Sequence, residues 1–415
     1  MNNKIKLAVA GAVLASASVA NAGITWDAGE WTVDMNGNVN AFAIFSDAKD
    51  SPSAANTITG GIAATQTGAD ADSDSTSIST GLLPAWLGFT ATTRQNDIDT
   101  SITISFQPGM GGNQALKGGG NTENRQAFLT FGDKSWGSVK MGKDLGIYGS
   151  TAILNDMTLL GVGATGGTVG NGVNAGGAAA GASGTTTTLG GIGTGYIYAD
   201  WKGQIAYTTP NMNGFGATVG ATQPWNSDTS IGTTDQPAFE AQASYSWTGD
   251  FAGKAWVGGF FQDVTNVAST TAAGGRTDTD AKAFEAGIAA TVMNIGLTAY
   301  AYSGEGVGTT GMLVQGFDTT GSARDSDGGY VQATYVIPMG TKLGVSYGVS
   351  KLDDNAADAG TNLVKENNRL TIGAYHPLTK HLNLVAEFSA VESEAHSNVS
   401  DQKQDIFSVG AILFF

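Results

Sequence analysis

The chain has 415 residues, with 61 glycines, 8 prolines and no cysteine, which excludes disulfides, thiolate nucleophiles and cysteine-ligated metals. Hydrophobic residues make up 41% of the sequence and charged residues 13%, a composition too apolar for an intrinsically disordered chain. The formal net charge of −16 argues against a nucleic-acid-binding protein, because such proteins carry a basic patch.

The first 22 residues predict a secretory signal peptide. Lys4 and Lys6 form a basic start, residues 7–19 are an apolar run, and residues 20–22 have the small side chains of a cleavage site. Lys4 and Lys6 are the only charged residues of this segment, so its removal takes the net charge from −16 to −18. We expect residues 23–415 to be exported. No later stretch is long and apolar enough for a membrane-spanning helix, so a membrane form of this chain would be a barrel.

The mature chain begins with a clear alternation over residues 31–46. Val33, Met35 and Val39 share one parity and Asp34 and Asn36 the other, which predicts a strand with one apolar and one polar face. Fifteen further segments follow, and they are 81–93, 98–107, 125–132, 137–143, 204–209, 215–222, 239–247, 254–264, 283–292, 295–303, 330–337, 342–352, 369–375, 382–391 and 405–415. Seven short turns alternate with eight long polar loops. This rhythm predicts one domain over 23–415, an all-β, sixteen-stranded antiparallel transmembrane β-barrel.

The end of the chain and the aromatic residues support a membrane barrel. Phe407, Val409, Leu413 and Phe415 fall on one continuous apolar face, which in water would be an aggregation hazard and which lipid would cover. Several aromatic residues lie at or beside the predicted short turns, where an interfacial girdle is expected. They are Trp136, Phe215, Trp247, Phe251 and Phe415.

The longest interruption follows the fifth strand and contains a glycine-, alanine- and threonine-rich middle over residues 161–195. A loop this long in a compact domain is usually functional or disordered. In a barrel it can also fold inward and narrow the lumen. We expect an inward-folded constriction loop over residues 144–195.

Short motifs in this order resemble the general porins of Gram-negative outer membranes, which are trimeric sixteen-stranded diffusion channels. Residues 137–143 (Gly-Ser-Val-Lys-Met-Gly-Lys) resemble the strand that leads into the constriction loop of that family, and 145–148 (Leu-Gly-Ile-Tyr) resemble the opening of the loop. Residues 87–89 (Leu-Gly-Phe), 206–208 (Ala-Tyr-Thr) and 347–351 (Tyr-Gly-Val-Ser-Lys) resemble further strand motifs.

The resemblance implies an eyelet in which acidic loop residues face basic wall residues. Lys143 takes the position of one wall arginine, although simple alternation would point it at lipid, so this placement requires a bulge near Gly142. Trp86 and Thr208 stand where the family has two other basic residues, and Asp144 and Asp156 remain as candidate acids. We therefore expect an eyelet that is less charged than the family norm.

Strand parity adds further charged residues that should face the lumen, where a charge is tolerated far better than against lipid. They are Asp34, Lys140, Lys202, Glu240, Lys254, Glu285, Lys342, Arg369 and Glu387. The alternative for each is a solvated wall residue without effect on permeation. The histidines His376, His381 and His396 have no zinc-ligand spacing, and we expect no metal, no cofactor and no enzymatic activity.

These observations predict an outer-membrane porin for passive diffusion of ions and small hydrophilic solutes, with a weak cation preference, and the resemblance to the general porins implies a homotrimer. Its expected partners are copies of itself, outer-membrane lipid and lipopolysaccharide, and not nucleic acid. Two alternatives remain open. One is a substrate-specific channel in which Trp86, Trp256 and Tyr300 form a binding track for a sugar or an organic acid, and the other is a secreted β-rich adhesin without a pore.

Overall fold

The structure, a computed structural model, describes residues 23–49, 57–63, 73–109, 122–165, 187–225, 234–266 and 277–415. The predicted signal peptide, residues 1–22, and the middle of the glycine-rich loop, residues 166–186, lie outside these ranges. Within the described ranges, no helix combines the length and the apolar character that crossing a membrane requires.

Sixteen long strands form one closed antiparallel sheet in which each strand pairs with the next along the chain. The strands are β1 Trp31–Lys49, β2 Trp86–Gln95, β3 Ile98–Pro108, β4 Ala127–Asp133, β5 Gly137–Leu145, β6 Trp201–Thr208, β7 Phe215–Thr222, β8 Ala238–Trp247, β9 Phe251–Asn266, β10 Thr277–Val292, β11 Ile295–Glu305, β12 Asp325–Val336, β13 Lys342–Leu352, β14 Val364–Pro377, β15 Leu382–Ala395 and β16 Gln402–Phe414. The predicted sixteen-stranded barrel is confirmed. The predicted second strand starts too early, because residues 81–85 are buried outside any strand.

The barrel closes through its first and last strands. β16 pairs with β1 from Lys403 opposite Lys49 to Phe414 opposite Asn38. Phe415 extends this pairing, since its N–H and carbonyl each bond to the backbone of Gly37 at 3.0 Å. A short N-terminal strand, Ile24–Ala28, pairs with the start of β1 along the same edge. Both ends of the described chain therefore complete one seam, which leaves no open sheet edge there.

The outer face of the barrel is apolar. In β16, Phe407, Val409 and Leu413 are 48%, 45% and 43% exposed, while Ile406 and Ile412 on the opposite face are buried. Exposed aliphatic residues form the same face on strands around the barrel, for example Ile102, Ile205, Val257, Leu297 and Ile372. Such a surface is stable against lipid and unfavourable in water.

Aromatic rings gather beside the short turns, as the sequence predicted. The rings of Tyr245 and Trp247 lie 6.2 Å apart, and those of Trp247 and Phe251 lie 5.9 Å apart. On another pair of strands, Trp136 lies 6.4 Å from Phe131. Rings with an apolar body and a polar tip favour the boundary between lipid and water.

On the described strands, charged side chains of the outer face gather beside the long loops. The acidic residues there are Asp47, Asp263, Asp278, Asp280, Glu305, Asp325, Asp327, Glu366, Glu392, Glu394 and Asp405. They outnumber the lysines that pair with some of them, namely Lys282, Lys351, Lys365 and Lys403. We call this band the acidic rim.

The main apolar core lies inside the barrel. It consists of wall residues such as Phe42 and Trp256 packed against loop residues such as Tyr148, Ile197 and Leu313. The only helices within the described ranges are short: α1 Ser150–Asn155 and the 3-10 segments Met157–Leu160 and Ala356–Asp358. The loops therefore fill part of the lumen and fix its shape.

Candidate functional site

The long connection between β5 and β6, residues 146–200, turns into the barrel. The N–H of Gly146 donates to the carbonyl of Asp200 at 2.7 Å, which closes the neck of this loop where the two strands end. Residues 147–165 and 187–200 lie inside the barrel, and most of their side chains are buried. We call residues 146–200 the constriction loop. The prediction of an inward-folded loop is confirmed for these described residues, and Asp144, the predicted start of the loop, lies in β5.

Two glutamates of the barrel wall hold the beginning of the constriction loop through its backbone. The N–H groups of Ile147 and Tyr148 donate to the same oxygen of Glu240, Oε2, at 2.6 and 2.9 Å. The next N–H, that of Gly149, donates to Oε2 of Glu285 at 3.0 Å. Hydrogen bonds to an ionised acceptor are about twice as strong as neutral ones. The first turn of the loop is therefore fixed to β8 and β10.

A third wall glutamate, Glu387 on β15, holds the loop farther along its path. Its Oε2 accepts the N–H groups of Val162 and Gly163 at 2.7 and 2.9 Å, and its Oε1 accepts the hydroxyl of Tyr375 at 2.6 Å. A buried carboxylate without such partners would be strongly destabilising. Three wall glutamates therefore accept hydrogen bonds from the backbone of the loop, and we call them the glutamate anchors: Glu240, Glu285 and Glu387.

Asp156 holds the middle of the loop. Its Oδ1 accepts the N–H of Thr158 at 2.9 Å, which caps the 3-10 segment that follows, and its Oδ2 accepts the hydroxyl of Tyr196 at 2.8 Å. Arg369 on β14 approaches the same Oδ2 to 3.8 Å and is 1% exposed. Asp156 and Arg369 were both predicted to face the lumen, and they lie close together beneath residues 187–200 of the loop.

Two lysine–carboxylate pairs lie at the base of the loop. Lys202 contacts Glu240, and both side chains are buried. Lys140 contacts Asp144 on the same face of β5, and Gln126 Nε2 donates to Asp144 Oδ1 at 3.0 Å. Each lysine balances a buried carboxylate, so neither pair presents a full charge to the lumen.

An open space of about 1440 Å³ lies between the constriction loop and the short-turn end of the barrel. We call it the vestibule. Its ceiling includes Asn155, Met157 and Leu160 of the loop, and it extends to turn residues such as Asn211 and Asn294. Its acidic lining residues are Asp99, Asp133, Asp144 and Asp156. Its basic lining residues are Lys134, Lys140, Lys254 and Lys342, so the charges of its walls are balanced.

A smaller cavity of about 40 Å³ lies where β5 and β6 end, between these strands and the constriction loop. We call it the upper cavity. Leu145, Leu154 and Leu159 line both the upper cavity and the vestibule, so these three side chains lie between the two spaces. The described side chains that separate the upper cavity from the vestibule are therefore apolar.

The ten residues predicted to line the pore or its constriction lie in different parts of the structure. Lys140, Asp144, Asp156 and Thr208 line the vestibule, and Thr208 shares a hydrogen bond of 2.9 Å with Thr218. Trp86 lines the upper cavity. The other inward-facing residues of this set interact with protein groups. Asp34 accepts a hydrogen bond of 2.6 Å from Asn36 Nδ2, and Lys202, Arg369 and Glu387 make the contacts described above. Whether any of these residues affects permeation stays a prediction.

The placement of Lys143 in the lumen is wrong. The pairing of β5 with β4 and β6 runs without a register shift, so no bulge occurs at Gly142. Lys143 is exposed and shares its parity with Met141 on the outer face. Strand alternation therefore decides its direction, against the position that the family resemblance implied.

The predicted aromatic track is also wrong for two of its three members. Trp256 and Tyr300 are 2% and 5% exposed, with their rings 6.3 Å apart beneath the constriction loop. The hydroxyl of Tyr300 donates to Glu285 Oε2 at 2.9 Å. Both residues face inward as parity predicts, but the loop covers them, so a solute passing through the barrel does not meet them.

Of the residues that line the upper cavity, Trp86 was predicted from the sequence, whereas Arg125 and Trp201 were not. Arg125 precedes β4 by two residues and lines this cavity together with Trp201 at the start of β6. Both lie at strand ends, where alternation no longer decides the direction of a side chain. The only sequence signal was a basic residue beside a predicted long loop. Within the described ranges, no three His, Asp or Glu side chains form a cluster that could hold a metal ion.

A family model described as Gram-negative porin matches residues 8–396 of the chain. No curated protein matches the sequence significantly. The outer membrane channel DcaP of Acinetobacter baumannii is similar in structure over 95% of this chain and 100% of its own, with a TM-score of 0.65 and 15% identity. The anion-selective porin from Comamonas acidovorans is similar over 93% of this chain and 100% of its own, with a TM-score of 0.61 and 14% identity. The trimer form of in-vitro folded OmpT of Vibrio cholerae is similar over 93% of this chain and 100% of its own, with a TM-score of 0.54 and 15% identity. At these identities the similarity shows a shared fold.

Proposed function

Because this chain belongs to the family of Gram-negative porins, we propose that it is a passive diffusion channel of the outer membrane for ions and small hydrophilic solutes, with a weak preference for cations. The vestibule carries this proposal, since it is an open space of about 1440 Å³ whose walls include charged and polar side chains, beneath a loop fixed inside the barrel. A closed barrel with an apolar exterior and a polar interior is the architecture of an aqueous channel. Diffusion through it needs no cofactor and no chemical step.

The ion preference follows from the distribution of charge. In outer-membrane barrels the long loops face the outside of the cell, so the acidic rim surrounds the outer entrance. A negative potential at an entrance concentrates cations before they enter. The vestibule contributes little to selection, because its aspartates and lysines are balanced. A cation preference that is present but weak is the expected result.

Export and assembly follow from the sequence and the family. We propose that residues 1–22 are cleaved after export and that the mature barrel forms a homotrimer, as a similar protein does in its trimer form. The apolar outer face would contact outer-membrane lipid. The acidic rim would lie at the level of lipopolysaccharide headgroups.

The two alternatives have less support. A substrate-specific channel loses its proposed aromatic track, because the constriction loop covers Trp256 and Tyr300. A secreted adhesin without a pore would have no use for an outer face that exposes aliphatic and aromatic side chains on strands around the barrel.

The experiment is electrical. Mature protein, refolded in detergent, is inserted into a planar bilayer that separates two potassium chloride solutions of different concentration. We expect stepwise increases in current, closures in groups of three, and a reversal potential of the sign that cation movement gives. A detergent-soluble, heat-modifiable barrel that carries no current would refute the channel, and a reversal potential of the opposite sign would refute the cation preference alone.

A further inference from the structure

A second long connection also turns into the barrel. Residues 306–324 join β11 to β12 at the long-loop end, and residues 306–313 are all buried. Val307 and Leu313 have no exposed surface and belong to the same apolar core as the constriction loop. A loop that stayed outside the barrel would expose these side chains to water, which is unfavourable. We call residues 306–317 the lid.

The lid packs against the part of the constriction loop that returns to β6. The N–H of Tyr198 donates to the carbonyl of Thr310 at 2.8 Å, and Tyr198 forms a parallel β-bridge with Gly311. The two loops also touch at Gly193, where an added Cβ would lie 3.0 Å from Thr310 Oγ1. The described lining of the vestibule includes no residue of the lid. Since the vestibule lies on the short-turn side of the constriction loop, the lid lies on its outer side.

The lid also contacts the connection between β1 and β2. The side-chain amide of Gln315 faces the carbonyl of Thr59 and the N–H of Gly60, both at 3.2 Å. This connection is itself fixed to the barrel wall, because the N–H of Ile62 donates to Oδ1 of Asn367 on β14 at 3.0 Å. The lid therefore joins the constriction loop to a wall-bound segment inside the outer part of the barrel.

The backbone of the lid is strained. Leu313 and Gln315 have φ angles of 66° and 59°, in the left-handed region that residues with long side chains rarely adopt. Such conformations persist only where the surrounding contacts enforce them, and they are concentrated in segments that switch. Burial of the apolar side chains favours the docked lid, whereas this strain favours its release. Two opposed contributions of this kind make a two-state element.

An arginine at the end of the connection holds the strained segment. Nη1 of Arg324 donates to the carbonyls of Gln315 and Phe317 at 2.8 and 2.6 Å. Nε and Nη2 donate to the carboxylate of Asp358, in the connection between β13 and β14, at 2.8 and 2.6 Å. Both side chains of this ion pair are buried. A planar guanidinium bound in this way fixes the lid against its neighbour, and we call Arg324 and Asp358 the latch.

We propose that the lid gates the outer entrance of the channel. The docked lid closes the route above the constriction loop, and release of the latch lets the lid move outward. This proposal rests on the proposed channel function. It assigns the movement to the lid, while the glutamate anchors keep the constriction loop in place.

A disulfide between the lid and the constriction loop tests whether the lid must move. Tyr198→Cys with Gly311→Cys puts two thiols on bridged backbone positions about 5 Å apart, within the range of a disulfide. The chain has no cysteine of its own, so the two thiols have no other partner within it. In a planar bilayer, the oxidised double variant should carry at least about tenfold less potassium chloride current than after reduction by dithiothreitol, because it cannot leave the closed state. Each single substitution is a control and should not respond to oxidation.

Substitutions in the latch test the same gate without a crosslink. Arg324→Gln should raise the ratio of open to closed time about 10- to 100-fold, because it removes a charged donor from two carbonyls and one carboxylate. Arg324→Lys, which keeps the charge but not the planar fork, should give an intermediate ratio. Lys351→Gln is the matched control, since Lys351 pairs with Glu366 at 3.7 Å in the acidic rim beside the same connection. If Arg324→Gln does not fold into a heat-modifiable barrel, the disulfide variant decides.

The outcomes separate the gate from the channel itself. If no current flows in the unaltered protein or in any variant, before or after reduction, the proposed function fails. If current flows and the oxidised double variant, with its crosslink verified by mass, conducts as well as the reduced form, the channel stands and the gate is wrong. The same conclusion follows if Arg324→Gln and Lys351→Gln give equal records. If the two thiols do not crosslink, the lid does not dock at Tyr198 and the proposal is also overturned.

Discussion

Replacing Glu387 by glutamine tests whether the glutamate anchors keep the constriction loop in place. Glutamine has the shape of glutamate, its carbonyl oxygen can still accept from Val162 and Gly163, and its amide can donate to the hydroxyl oxygen of Tyr375. The substitution therefore removes the negative charge and leaves the packing of this part of the lumen unchanged. Any effect on the loop then reports the charge of the anchor.

The magnitude follows from the two amide bonds that meet at Oε2. A hydrogen bond to a charged group contributes about 1.5–3 kcal/mol and a neutral one about 0.5–1.5 kcal/mol. Losing the charge at both bonds therefore weakens docking of the loop by about 2–3 kcal/mol. Since 1.4 kcal/mol is a factor of ten, the population of the undocked loop should rise about 30- to 150-fold.

Single-channel recording detects this change, because an undocked loop alters the width of the lumen. In Glu387→Gln, current levels other than the main open level should be occupied about 30- to 150-fold more often than in the unaltered protein. Glu392→Gln is the control, since Glu392 lies on the same strand but pairs with Lys403 at 2.8 Å in the acidic rim. If Glu387→Gln and Glu392→Gln give the same records, the anchors do not hold the loop and the reasoning fails.

Further predictions concern the lumen and the loops. Leu154→Ser, which puts a smaller and more polar side chain where the constriction loop lines the vestibule, should raise the single-channel conductance, whereas the volume-conserving control Leu154→Met should not, and equal conductance would show that Leu154 does not limit the current. Lys254→Gln with Lys342→Gln removes two of the four lysines of the vestibule and should strengthen the cation preference, measured as a shift of the reversal potential in a salt gradient. Gly161→Ala should destabilise loop docking in the same assay as Glu387→Gln, because a Cβ at this position would lie 2.0 Å from Oε1 of Glu387, and an unchanged record would show that the anchor can move aside. The Arg324 guanidinium, hydrogen-bonded to Asp358 at 2.6 and 2.8 Å, holds the pKa of that carboxyl below its ordinary value of 3.8. The stability contributed by this pair is therefore complete at neutral pH and is lost as the pH falls through the lowered pKa. Proteolysis of the loops that contain these two residues should stay constant well above pH 3.8 and increase only below it, and an increase already at mildly acidic pH would contradict this assignment.

The strands of this protein were predictable because one physical rule governs them. In a barrel with lipid outside and polar groups inside, every second side chain must be apolar, and Phe407, Val409 and Leu413 follow this rule. The same rule predicted that Glu240 and Glu387 face inward. It also predicts correctly that Lys143 faces outward, whereas the family resemblance led to the opposite prediction.

The path of the constriction loop was not predictable from the same rule. Its position depends on pairing between groups that are far apart in sequence, as Val162 and Glu387 are. The donors in these bonds are backbone N–H groups, which every residue except proline has, so they leave no mark in the sequence. For the same reason the burial of Trp256 and Tyr300 could not be foreseen, because it depends on which wall the loop covers.

The glutamate anchors explain why a count of lumen-facing charges overstates the field that a permeating ion meets. Each anchor accepts backbone N–H groups, and Glu240 also contacts Lys202, so these carboxylates stabilise the loop and are covered by it. The charges that line the vestibule are balanced, and leucines separate it from the upper cavity. Among the described residues, this boundary therefore carries no opposed charges that would produce a transverse field. The channel that we propose would therefore select mainly by the size of a solute and by its direct contacts, and the acidic rim would add a small bias towards cations before entry.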